Sequence, residues 1–91
     1  MENTLQITSS RFPLGEISVS RSAATRITTQ DAEAGLCRHA QGDWGSVPAE
    51  KRLRNEDALR EGHAVLSRFR AASGYSFWII TDYDRGSTIV F

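Results

Sequence analysis

Ninety-one residues, 40% apolar and 24% charged, suit one folded domain and exclude a disordered tail. Eleven basic residues balance eleven acidic ones, which argues against the basic excess that phosphate binding draws on. A single cysteine excludes an internal disulfide, and no apolar run reaches the ~18–20 residues of a membrane-spanning helix.

Residues 1–11 carry Leu5 and Ile7 among polar neighbours and read as a frayed or edge-strand extension of a 1–91 single domain. Pro13 and Gly15 punctuate the start of a short half-buried strand, Ile17-Ser18-Val19-Ser20. Ser20 to Ile27 is ambiguous. Thr28 or Thr29 then caps a helix, with Asp31 and Glu33 near its positive end. Its apolar face is Ala32, Leu36, Cys37 and Ala40, Arg38 and His39 lie in its last turn, and Gly42 stops it.

A second helix is expected from Ser46 as cap and Pro48 in the first turn to Gly62 as stop. Ala49, Leu53, Ala58 and Leu59 make a thin apolar stripe on an otherwise charged surface. The last third reads as a β-meander. In "HAVLSRFRA", Ala64, Leu66 and Phe69 compete for the inward face, followed by "YSFWIITDY" and "STIVF" across "ASG" and "DRG" turns. Connections this short allow only antiparallel pairing. The expected fold class is therefore α+β, a small antiparallel sheet of three or four strands with two helices packed on one face.

Between the helices, Gly42-Asp43-Trp44-Gly45 puts the largest side chain in a turn. Trp44 can plug the bottom of the core while Asp43 binds free backbone N–H groups, including those opening the second helix. An exposed Trp44 that reads a partner is the alternative.

The stretches "RHAQGDWG", "RNEDALREG" and "FWIITDYDRGSTIVF" resemble a family of short bacterial proteins found on plasmids, phages and integrated elements. The residues that carry the resemblance are Arg38, His39, Gly42 to Gly45, Asn55, Ala58, Leu59, Gly62, Trp78 to Thr81, Asp84, Arg85 and Thr88. Residues 36 to 91 are covered well and the first 30 poorly. Members typically continue into a Leu-Pro-acidic-Tyr tail, which is not found after Phe91 here. The resemblance implies a fold and a mobile genetic element as setting rather than a mechanism, since the family has no established enzymatic activity. Small proteins of that setting are often inhibitors of host defence.

Catalytic and metal chemistry are not expected. His39, Asp43, His63, Asp82 and Asp84 lack metal-ligand spacing, and no nucleophile elbow or glycine-rich phosphate cradle is present. Cys37 reads as core. Asp84 and Arg85 are expected to pair locally or to tie the meander to the Gly42–Gly45 joint, with Arg85 and Thr88 as an alternative contact surface. Arg68, Phe69, Arg70, Tyr75, Phe77 and Trp78 are the ingredients of a base-stacking platform. Period-two alternation sends half of them into the core, and direct nucleic-acid binding is disfavoured.

Ten of the eleven cations are arginine and Lys51 is the single lysine, which favours planar contacts at an interface, although a GC-rich genome gives the same bias. The leading expectation is a cytoplasmic, non-enzymatic phage or plasmid protein without cofactor or metal, monomeric or homodimeric. It binds a host protein, a subunit of a CRISPR or restriction complex, and inhibits by occlusion, as an anti-CRISPR or anti-restriction protein would. The contact candidates are Glu50, Arg52, Arg54, Glu56, Asp57 and Arg60 on the second helix, and Arg68 and Arg70 on the following strand. The alternatives are a housekeeping protein-binding module and a weak nucleic-acid binder.

Overall fold

The computed structural model describes residues 10–91, so the extension expected over residues 1–11 lies, but for Ser10 and Arg11, outside the described residues. In chain order the elements are β1 (Glu16–Val19), α1 (Arg21–Ala24), α2 (Thr29–Ala40), α3 (Ala49–Glu61), β2 (Val65–Arg70), β3 (Ser76–Thr81) and β4 (Ser87–Val90). The fold is α+β. The ambiguous stretch after Val19 turns out to hold α1, with Ser20 as its cap, accepting from the Ala23 N–H.

One four-stranded sheet runs β1-β4-β3-β2. Strands β2, β3 and β4 form the antiparallel meander, Ile80 facing Leu66 on one side and Ile89 on the other. The expectation of an antiparallel sheet throughout is corrected at β1, which pairs parallel to β4 with Ile17 opposite Thr88. All the other elements lie between these two strands, so no short turn dictates their direction.

The helices cover one sheet face. Thr28 closes a capping box with Asp31, which fixes the start of α2. Gly35 lets that helix approach the sheet closely, since a Cβ there would stand 3.0 Å from the Phe77 ring and 3.1 Å from Ile79. Phe69, Phe77, Ile79, Val65 and Val90 form the core with Leu36, Ala40, Trp44 and Val47. Cys37, expected in the core, is only half-buried.

Two expectations about inward faces are corrected. On β2 the inward residues are Val65, Ser67 and Phe69, not Ala64 and Leu66. Polar Ser67 takes an inward place because it meets His39 there. On α3, Leu53 is 70% exposed, and Asn55 and Ala58 are the buried residues. The helix is turned so that the Asn55 amide donates to the Leu66 carbonyl and accepts from the Leu66 N–H, at 2.8 and 3.1 Å. The expected Ser46 cap is also corrected: α3 begins only at Ala49, so Pro48 is the N-cap, and the Ser46 backbone and hydroxyl turn instead to the Arg68 carbonyl.

Candidate interaction surface

Trp44 lies in the core, 3% exposed, stacked on Phe12 and edge-on to His39. Its indole N–H donates to Glu56 at 3.1 Å. The segment around it runs alongside β2. Arg68 donates to the Trp44 carbonyl and accepts from the Ser46 N–H, which makes a short parallel bridge at Gly45. Gly45 has φ +73°, and a Cβ there would lie 2.0 Å from the Arg68 carbonyl oxygen, so only glycine fits. Asp43 accepts from the Gly45 N–H and pairs with Arg38 at 2.8 Å rather than reaching the start of α3. That guanidinium, and then the Gly45 N–H, hold the Asp43 carboxyl below its ordinary range.

Arg85 and Asp84 do not pair with each other. Arg85 donates to the carbonyls of His63, Asp82 and Ala58 at 2.7, 3.0 and 3.2 Å, and its guanidinium lies over the Phe12 ring. It ties the meander to the end of α3 rather than to the Gly42–Gly45 joint, its fork of donors reaching the Ala58 and His63 carbonyls on either side of the helix stop at Gly62. Asp84 accepts from the Gly86 N–H.

The contact candidates separate into different environments. Glu56 holds Arg11 through two hydrogen bonds of 2.9 and 3.0 Å, so together with Trp44 it pins two segments to α3. The Arg11 contact accordingly depresses the Glu56 carboxyl and raises Arg11. Arg52 donates to the Val47 carbonyl, and Arg60 pairs with Asp57. Among the described residues, the Glu50 and Arg54 side chains make no hydrogen bond or ion pair, and both are exposed. Arg68 and Arg70 lie on the sheet face opposite the helices, so the structure does not bring them together with the α3 charges.

That open face carries Leu66, Trp78, Ile80 and Ile89, with Ile89 41% exposed and Phe91 at 42% at its end. Ile80, Asp82, Ser87 and Ile89 line a shallow cleft of about 210 Å³ on it. Of the stacking candidates, Phe69 and Phe77 are in the core, and Trp78 is half-buried beneath the Arg68 guanidinium at 5.4 Å.

The buried polar cluster was not foreseen. His39 bonds Ser67 at 2.5 Å and Thr81 at 2.9 Å, Thr81 bonds Thr88 at 2.7 Å, and Thr88 bonds the Leu14 carbonyl at 2.7 Å. The terminal carbonyl can only accept, which sets every proton. Thr88 donates to Leu14, Thr81 to Thr88, His39 Nε2–H to Thr81, and Ser67 to His39 Nδ1. His39, Ser67, Thr81 and Thr88 are all 0% exposed, so this Ser–His contact is closed to any substrate. Alternation of Ser67, Thr81 and Thr88 with apolar neighbours on inward positions was the signal available in the sequence.

Among the described residues, no group of three or more His, Cys, Asp or Glu side chains could hold a metal ion. Of the five metal candidates, Asp43 is taken by Arg38, His39 is sealed in the core, and His63 lies 3.7 Å from Glu61. Asp82 and Asp84 accept from the Tyr83 and Gly86 N–H groups in their own turn. No helix of the described residues is long and apolar enough to cross a membrane. No family model, no curated protein and no solved structure matches the chain.

Proposed function

We propose that this chain is a non-enzymatic protein-binding module that docks a host protein on the open face of its sheet. The observation that carries the reading is the apolar strip Leu66, Trp78, Ile80, Ile89 and Phe91 on the one sheet face that the described helices leave uncovered. Branched aliphatic side chains dominate this strip and suit another protein surface, with the Trp78 ring lying under the Arg68 guanidinium and Phe91 at the strip's end. A four-stranded sheet backed by helices holds these side chains in fixed register, so little ordering entropy is lost on docking. The resemblance to proteins of mobile elements supplies the partner class: a subunit of a CRISPR or restriction complex, blocked by occlusion in the cytoplasm.

The test uses purified CRISPR and restriction complexes, nuclease-treated, presented to the wild-type chain and to Ile89→Asp and Arg54→Glu variants of unchanged melting temperature. Retention of the wild type by one complex, with loss of its cleavage activity, is expected. Ile89→Asp weakens binding at least tenfold and Arg54→Glu does not. Retention by no complex overturns the partner class, and equal binding by Ile89→Asp overturns the surface.

A further inference from the structure

Beside β2, a cleft of about 450 Å³ is lined by Arg38, Ser46, Arg68, Arg70 and Ser76, with Gly45 and Phe69. We propose that this cleft is a binding site for a phosphate monoester, the phosphoryl group being held by the arginines. The inference goes beyond the docking face, since none of its residues is an apolar side chain of that strip.

Three of the eleven cations of a chain with zero formal net charge meet in this one cleft. Among the described residues, the only carboxylate paired with any of them is Asp43, held by Arg38. Arg68 and Arg70 have no acidic partner there. Like charges gathered without counter-charge repel, and an oxyanion relieves that repulsion.

The guanidinium planes are also held in advance. Arg38 lies over the Phe69 ring at 4.7 Å and Arg68 over Trp78 at 5.4 Å. The ring contact fixes the Arg68 fork, which can grip phosphate oxygens in pairs, so less side-chain freedom is lost on capture; Arg38, its Nε and one terminal nitrogen bound to Asp43, is held in place and adds its other terminal nitrogen. Arg68 Nε is buried without an acceptor among the described residues. Its charge is therefore poorly hydrated on that side, which strengthens the pull on an anion reaching its outer nitrogens. Ser46 and Ser76 place hydroxyl groups on the wall, and Arg70 is exposed at the mouth.

Two arginines lacking counter-charge match the two negative charges of a phosphate monoester better than the single charge of a carboxylate. The cleft has more room than a bare phosphate fills, which leaves space for a small organic substituent. A nucleic-acid backbone needs a track of cations, whereas the neighbouring sheet face is apolar.

The experiment is a titration of the labelled chain with inorganic phosphate at constant ionic strength, followed by the arginine Nε–H and backbone amide resonances. Saturable shifts confined to Ser46, Arg68, Arg70 and Ser76 are expected. Acetate gives at least tenfold weaker shifts. The solvent-exposed substitution Arg70→Gln, which leaves the fold untouched, weakens phosphate binding several-fold, and Arg68→Gln does so by tenfold or more. Arg52→Gln, outside the cleft, has no effect. Absence of saturation, equal binding of acetate, or an unchanged response in Arg70→Gln overturns the site. Binding of a single-stranded oligonucleotide far tighter than phosphate at the same resonances overturns the small-molecule ligand in favour of nucleic acid.

Discussion

At His39, complete burial pushes the imidazole down to about 4 from its ordinary 6.5, with the Arg85 charge adding to the effect. The unfolded chain therefore takes up a proton at a higher pH than the folded one. The stability this confers is fully present above about pH 6.5 and drains away as pH falls toward 4, a loss on the order of 3 kcal/mol. Urea midpoints measured from pH 7.5 to 4.5 should show this decline, and His39→Gln should flatten it. Gly45→Ala should cost roughly 3 kcal/mol or more, because a methyl group would strike the Arg68 carbonyl and the residue would keep a positive φ. Trp44→Ala should cost about 3–5 kcal/mol, read from chemical denaturation, with the Glu56 carboxylate losing its indole donor. The glycine–tryptophan pattern marked this joint in the sequence. What the pattern could not convey is that Trp44 and Ser46 join the edge of the sheet, since a parallel bridge between residues 22 and 24 positions apart leaves no periodic trace.

Helix α3 shows where apolar periodicity misleads. Leu53 looked like part of its inward stripe, yet the helix is rotated by the bond pair between Asn55 and the Leu66 backbone. A thin stripe of apolar residues gives a weak rotational preference, and two hydrogen bonds to the Leu66 N–H and carbonyl on the outer edge of β2 override it. Asn55→Ala should thus cost about 2 kcal/mol, whereas Leu53→Ser should stay within about 0.5 kcal/mol, both from thermal or urea melts. For α2 the reading from sequence was closer, because Thr28 and Asp31 close a capping box and Ala32, Leu36 and Ala40 do face the core. The contact candidates on α3 were legible as charges but not as partners: Glu56 and Arg52 spend their polar atoms on Arg11, Trp44 and Val47.

Across the whole molecule, the meander was legible because its strands alternate and its turns are short. The parallel seat of β1 was not, since its partner lies about seventy positions away in the chain. Amide hydrogen exchange should follow that architecture. Slowest protection is expected at Ile79 and Ile80 in β3, bonded on both sides, and faster exchange at Ile17 and Val19. In β1 the Glu16 and Ser20 N–H groups point at β4, so by alternation those of Ile17 and Val19 point away from it.

The pairing of Glu16–Val19 with Ser87–Val90, reinforced by the bond from Thr88 to the Leu14 carbonyl, also governs when folding can finish. On a ribosome, residues 14–19 emerge early and must wait until the last strand clears the exit tunnel. Until then Thr88, which links Thr81 to the Leu14 carbonyl, is missing from the His39 chain, and the exposed Ile17 and Val19 are free to pair with a neighbouring nascent chain. Such long-range closure slows folding relative to a helical domain of this length. Aggregation is therefore expected to rise when the chain is made on closely spaced ribosomes, read as a larger insoluble fraction at high than at low initiation rate.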